Sequence, residues 1–199
     1  AVPTLKALID SSHEVVAVLT RPDAPVGRKR VLTPSPVAAV ALEHNIPVIY
    51  ANKIDGDIQN QIDAYKPEVG VVVAYGALLP QATLDSPEHG WLNLHFSALP
   101  EWRGAAPVQW QILSGASTLG SSVFSLVKEL DAGDVFTTEL HPSLTDETSG
   151  EALLRLSELG ATQVLNVVDS IENGSAVLTP QTGETSYARK LGLEDGHLD

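Results

Sequence analysis

The residues best suited to chemistry gather in Asn93-Leu94-His95-Phe96-Ser97-Ala98-Leu99-Pro100, followed by Glu101-Trp102-Arg103-Gly104-Ala105-Ala106-Pro107. Alternate residues of a strand share a face, so Asn93, His95 and Ser97 point one way and Leu94 and Phe96 the other. A core strand of a parallel sheet prefers apolar residues on both faces. Polar residues at its C-terminal end suggest a site, because open α/β sheets bind ligands there. The plainer alternative is that Asn93 and His95 only satisfy loop backbone. A second polar cluster, Leu130-Asp131-Ala132-Gly133-Asp134, reads as a tight turn between two apolar strands, since Asp and Gly are ordinary turn residues. If the two clusters meet, they suit acyl transfer without a Ser or Cys nucleophile. Asn93 offers an amide donor and a protonated His95 a charged one, a pair able to hold a developing oxyanion. Asp131 could keep His95 charged or act as a base through water. The nucleophile would then be the acceptor's own amine, and the protein's main work would be positioning.

These side chains need a frame. Short apolar, β-branched runs predict strands at Glu14–Thr20, Ile46–Tyr50, Gly70–Ala74, Trp91–His95, Ser122–Val127 and Val135–Leu140. Helical patterns fall between several of them, at Pro36–Asn45, Ile54–Tyr65, Ala106–Ser114 and Ser149–Ile171, the last with Thr148 or Ser149 as N-cap. This alternation predicts an α/β domain with a mostly parallel central sheet and flanking helices. Ala1–Ser11 reads as a helix with no strand before it, so an initial strand is expected to precede Ala1. The domain is expected to span residues 1–182. Gly183–Asp199 has little apolar periodicity and reads as a linker.

Composition narrows the classes. The 199 residues carry 12 Lys and Arg against 25 Asp and Glu, a net charge of −13, which argues against a general nucleic-acid binder. Without cysteine there is no disulfide framework, thiolate metal site or cysteine nucleophile. The six histidines (His13, His44, His89, His95, His141 and His197) form no H-x-H or H-E-x-x-H pair, so no metal is expected. The longest nearly apolar run, Val69–Leu79, falls well short of the roughly 18 residues of a membrane span. The glycine motifs G-x-G-x-x-G and G-x-x-x-x-G-K-[ST] and the G-x-S-x-G elbow are all missing.

The same residues carry a family resemblance. Asn93–Pro107 resembles the N-x-H-x-S-L-L-P-x-W-R-G-A-A-P signature of methionyl-tRNA formyltransferases, and Leu130–Asp134 their L-D-[TA]-G-D turn. Val71–Pro80 is similar to their V-V-V-A-Y-G-x-x-L-P segment, and Thr20–Val37 to their T-[RQ]-P-D-x-P-x-G-R-x-x-x-L-x-P-S-P-V loop. The resemblance implies a Rossmann-like formyltransferase fold. It also implies transfer of a formyl group from 10-formyltetrahydrofolate to the α-amine of methionine on initiator tRNA, by a cytoplasmic, monomeric enzyme without metal. Asn93, His95 and Asp131 match the catalytic positions. Ser97, Ala98, Leu99 and Pro100 match the tetrahydrofolate-binding segment, and Tyr75, Gly76, Ala77 and Leu78 the backbone lining the pteridine pocket. Such a family continues past position 199 into a smaller β-barrel domain that helps bind tRNA. Departures are Ala98 for Leu, Phe96 for a small residue, and Glu101 where Arg or Lys is common.

Charge distribution bears on the acceptor. Arg21, Arg28, Lys29 and Arg30 are four of the twelve cations and fall within ten residues, flanked by Pro22, Pro25, Gly27, Pro34 and Pro36. This reads as an exposed, semi-ordered basic loop. It matches the family's tRNA-contacting loop, and Arg103 is expected to join it. Residues 1–50 hold five cations and four anions, and the remainder seven cations and twenty-one anions. Two rivals stay open: a related formyltransferase acting on an amino-sugar nucleotide or purine precursor, and a catalytically silent folate- or RNA-binding module.

Overall fold

The computed structural model describes residues 1–196; His197 and the end of the expected linker lie outside the described residues. In chain order the elements are α1 (Val2–Ile9), β1 (Val18–Thr20), β2 (Ala24–Val26), β3 (Val31–Thr33), α2 (Pro36–Glu43), β4 (Val48–Tyr50), α3 (Gly56–Ala64) and β5 (Gly70–Val72). They continue with α4 (Gln81–Leu84), β6 (Trp91–His95), β7 (Arg103–Gly104), α5 (Pro107–Leu113), β8 (Thr118–Ser125), β9 (Val135–Pro142), α6 (Ser149–Glu172), β10 (Tyr187–Ala188) and a final 3-10 turn, Leu193–Gly196. Two compact units divide the chain, one ending at Trp91 and one beginning at Leu92. Among the described residues no helix is long and apolar enough to cross a membrane.

In the first unit β1 and β4 pair in parallel, Leu19 opposite Ile49. Ser35 caps α2 by accepting from Ala38 N at 3.1 Å, and its buried hydroxyl also meets Thr20 Oγ1 at 2.9 Å, tying the end of β1 to the start of the helix. Ile49, Ile54 and Ile62 form the core here, with Leu19, Ile58, Leu79 and Trp91 packed around them. The expected basic loop is more regular than its prolines suggested. β2 and β3 form an antiparallel hairpin, Pro25 opposite Leu32, and Gly27–Arg30 is its tip. Gly27 takes φ +69° in this turn, and Arg30 N donates to Gly27 O at 3.1 Å. Proline is tolerated because an edge hairpin of three-residue strands leaves amide positions unpaired.

In the second unit the strands that carry the site pair antiparallel. β6 runs against β8 with Asn93 opposite Phe124 and His95 opposite Ser122, and β8 against β9 with Ser121 opposite Glu139. The expected parallel arrangement therefore holds for β1 with β4 and for the short β7 with β10, but not for β6, β8 and β9. The reason is connection length: residues 126–134, which join β8 to β9, are too few for the crossover that a parallel pair requires. The core is Val108, Leu119, Ala152 and Leu156. Phe96, which stands where the family has a small residue, packs on that cluster. The capping box of α6 is complete: Glu151 N donates to Thr148 Oγ1 and Thr148 N to Glu151 Oε2.

Buried Gln111 of α5 ties the frame around the loop after β6. Its amide donates to Phe96 O at 2.7 Å, and its oxygen accepts from Gly120 N at 2.9 Å. At Gly120 the strand β8 runs so close to the backbone of Ser97 and Ala98 that a Cβ would overlap it. Gly120→Ala is expected to cost about 1–3 kcal/mol of stability through forced backbone displacement, measurable as a lower denaturation midpoint at unchanged slope.

Candidate active site

β6 presents Asn93 and His95 on one face, two residues apart. Asn93 is half-buried, and its side-chain amide has no hydrogen-bond partner among the described residues, leaving donor and acceptor available to a ligand. His95 is 7% exposed, with the ring of Phe124 edge-on at 6.4 Å. Its Nε2 lies 2.9 Å from Trp102 O. A carbonyl only accepts, so Nε2 carries the proton and the neutral ring keeps its lone pair on Nδ1. Nδ1 faces Asp131 Oδ2 at 3.8 Å, too far for a hydrogen bond but close for a charge.

The two polar clusters of the sequence therefore meet. Asp131, 9% exposed, accepts from Gly104 N at 2.8 Å through the same Oδ2 that faces His95. Burial drives the His95 pKa below the ordinary 6.5, and the Asp131 charge and the Trp102 carbonyl only partly oppose it. The resting imidazole is neutral at pH 7. Of the two roles open to Asp131, handling a proton is the one that suits a ring neutral at rest.

The other expected site residues divide. Ser97 is fully buried, and its hydroxyl donates to Glu101 O at 2.6 Å, while its carbonyl accepts from Ser122 Oγ at 2.7 Å. Leu99 N donates to Ser122 Oγ at 3.2 Å, and Pro100 is buried beside it. In Ser97–Pro100, the Ser, Leu and Pro side chains thus build the loop, and half-buried Ala98 is what the segment exposes. Glu101 is exposed. Tyr75, Gly76, Ala77 and Leu78 belong to the first unit, where Tyr75 Oη approaches Ala51 O at 3.5 Å and Leu78 is 78% exposed. Arg28, Lys29 and Arg30 stand exposed at the hairpin tip, and Arg21 is half-buried, donating to Pro22 O. Arg103 lies in the second unit, half-buried, with Nε and Nη2 both bonded to Gln181 Oε1.

A signal missed by periodicity lies in the tail. β10 pairs with β7, and the backbone from Trp102 to Ala106 is laced to Ser186 and Ala188. Trp102 N donates to Ser186 Oγ at 2.9 Å, Arg103 N to Ser186 O at 2.9 Å and Ala105 N to Ala188 O at 2.9 Å. Trp110 Nε1 bonds Arg189 O at 2.8 Å, and the Arg189 guanidinium lies over the Trp110 ring. Part of the stretch that reads as a linker is thus the support of the site.

The family profile described as formyl transferase matches residues 1–168. The chain belongs to the formyl transferase family. Among curated members of that family, the methionyl-tRNA formyltransferase of Arthrobacter sp. (strain FB24) is 54% identical over 199 residues, covering all of this chain and 65% of its own length. That of Nocardioides sp. (strain ATCC BAA-499 / JS614) is 52% identical over 204 residues, with 64% of its length covered. The chain thus spans just under two thirds of the length of these relatives. Solved structures share the Rossmann-like formyltransferase fold at low identity. Glycinamide ribonucleotide transformylase 1 from Symbiobacterium toebii superposes with a TM-score of 0.75 at 16% identity, over 89% of this chain and 85% of that one. The sugar 3N-formyl transferase WlaRD, solved with dTDP and 5-N-formyl-THF, gives 0.71 at 17% over 98% of this chain and 67% of that one.

A histidine buried neutral releases stability when it must charge. Its folded pKa is depressed, so the unfolded chain binds the proton first as pH falls. The His95 contribution is full above about 6.5 and is lost as pH drops from there towards the folded pKa. Denaturation midpoints measured from pH 7.5 to 5 should fall more steeply for the wild type than for His95→Gln. Parallel curves would show that folding leaves the His95 pKa unshifted, against the lowering that burial predicts.

Proposed function

We propose that this chain transfers a formyl group from 10-formyltetrahydrofolate to the α-amine of methionyl initiator tRNA. The observation that carries the chemistry is the Asn93 amide, unpartnered among the described residues, on the same strand face as a neutral His95 whose Nδ1 looks towards Asp131. The amine nitrogen attacks the formyl carbon, the carbon–N10 bond breaks, and N10 leaves with a proton while the amine gives one up. Asn93 donates to the formyl oxygen as it gains negative charge. The approaching substrate delivers a proton to the site, and His95, with Nε2 held on Trp102, takes it at Nδ1 and becomes a second donor. Asp131, 3.8 Å from that nitrogen, stabilises the charged ring and passes on the proton that the amine loses. Each of these steps needs only correctly placed donors and acceptors.

The acceptor assignment is supported by the hairpin tip, which presents Arg28, Lys29 and Arg30 to solvent within the first 50 residues, the part of the chain without a net negative charge. Curated relatives at about 50% identity carry the methionyl-tRNA formyltransferase name. On this reading the enzyme acts in the cytoplasm as a monomer. Charged initiator tRNA, an amino-sugar nucleotide and a purine-precursor amine, offered side by side with 10-formyltetrahydrofolate, test it. Turnover confined to either small acceptor would overturn the tRNA assignment.

Two variants separate chemistry from docking. His95→Ala should lower kcat by about 10²–10⁴-fold and leave folate affinity nearly unchanged, as judged by fluorescence titration. Replacing Arg28, Lys29 and Arg30 together with Ala should raise KM for tRNA roughly tenfold at physiological salt and reduce the salt slope by about 2–3. An unaltered slope would remove the hairpin from the RNA interface.

A further inference from the structure

Gln181 lies far along the chain from the catalytic residues, in a stretch without apolar pattern, yet its carboxamide is fully engaged. Its Nε2 donates to Asp131 O at 2.9 Å and to Gly133 O at 2.8 Å. Its Oε1 accepts from Arg103 Nε at 3.2 Å and from Arg103 Nη2. Two donors and two acceptor sites are all that a glutamine side chain possesses, and here none is left over.

What these bonds join matters more than their number. On one side is the turn carrying Asp131, whose φ of +46° is a conformation that an unsupported Asp holds only at a cost. On the other is Arg103, flanked by Trp102, whose carbonyl holds His95 Nε2, and by Gly104, whose amide holds Asp131 Oδ2. Trp102 also sits at positive φ, +59°. One carboxamide therefore links the backbone of the Asp131 turn to the side chain of Arg103, the residue between the Trp102 carbonyl and the Gly104 amide. We propose that Gln181 is a positioning residue of the formyl-transfer site, holding the Asp131 turn against Trp102–Gly104 and so setting the 3.8 Å separation of Asp131 Oδ2 from His95 Nδ1. The inference rests on the proposed function for its catalytic meaning, but the separation itself is measurable without turnover.

Asp131 is the charged side chain that acts on His95; Phe124 edge-on and the Trp102 carbonyl complete the surroundings on which the ring titrates. Releasing the turn weakens the one charge that favours the imidazolium, so the His95 midpoint should move down. The test uses the full-length protein with Gln181→Met, which keeps the volume and removes every bond, and Gln181→Asn, which keeps the carboxamide but is one methylene too short. In each, the His95 imidazole is titrated by heteronuclear NMR, and kcat and KM are measured against pH. Expected is a midpoint lowered by about half a unit or more, with the matching limb of the kcat profile displaced the same way. The fall in kcat should be about 10- to 100-fold at little change in KM for folate. A His95 midpoint unchanged in a folded variant overturns the proposal. So does loss of folding in both variants, which would mark Gln181 as a structural brace. Should the wild type formylate no acceptor while the midpoint still moves, the proposed function falls and the positioning role stands.

Discussion

The hydrogen bond from His95 Nε2 to the carbonyl of Trp102 is the constraint on which the site depends. It fixes the tautomer and thereby decides which nitrogen faces Asp131. It also requires the Trp102 carbonyl to point back at β6, which the chain achieves only by taking a positive φ at Trp102. A bulky residue in that conformation persists only when its surroundings over-determine it. Here they do: the Trp102 amide is held by Ser186, the next residue pairs with Tyr187, and Gly104 approaches Ala188 O so closely, at φ +118°, that no other residue could stand there.

Burial and charge oppose each other at His95, and burial wins. That outcome leaves a ring that is neutral at rest with a carboxylate beside it. The Asp131 carboxylate, 3.8 Å from Nδ1, lowers the cost of charging the ring.

Much of this was legible in the sequence, for identifiable reasons. The strand Trp91–His95 appears as its side-chain alternation predicts, because a five-residue strand with Asn and His on one face has few other readings. Helix α6 appears to within one residue because Thr148 and Glu151 form a complete capping box ahead of a long apolar stripe. The Asp131 turn was visible as a turn, but its partnership with His95 could be reached only through the family likeness, since nothing local links positions 36 apart. The β2–β3 hairpin was obscured by Pro22, Pro25 and Pro34, which mark loops more often than strands. The contribution of Gln181 and Ser186–Arg189 was invisible for a deeper reason. Two-residue pairing and side-chain-to-backbone bonds leave no periodic trace, and backbone partners such as Ala188 O are independent of residue type.

The order in which the chain is made gives the tail a further significance. Synthesis proceeds from the N-terminus, and segments fold as they emerge. Asn93, His95 and Asp131 leave the ribosome well before Gln181, 50 residues downstream of Asp131, and before the Ser186–Arg189 clasp. Until then Trp102 lacks the Ser186 hydroxyl that its amide meets, and Arg103 and Ala105 lack the carbonyls of Ser186 and Ala188. A chain cut short after α6 therefore carries Asn93, His95 and Asp131 but lacks the bonds that Gln181, Ser186 and Arg189 supply around them. The same logic sets where this module can be cut or grafted: a boundary drawn after α6, at the natural end of the helical pattern, would keep the reactive groups and discard the clasp that aligns them.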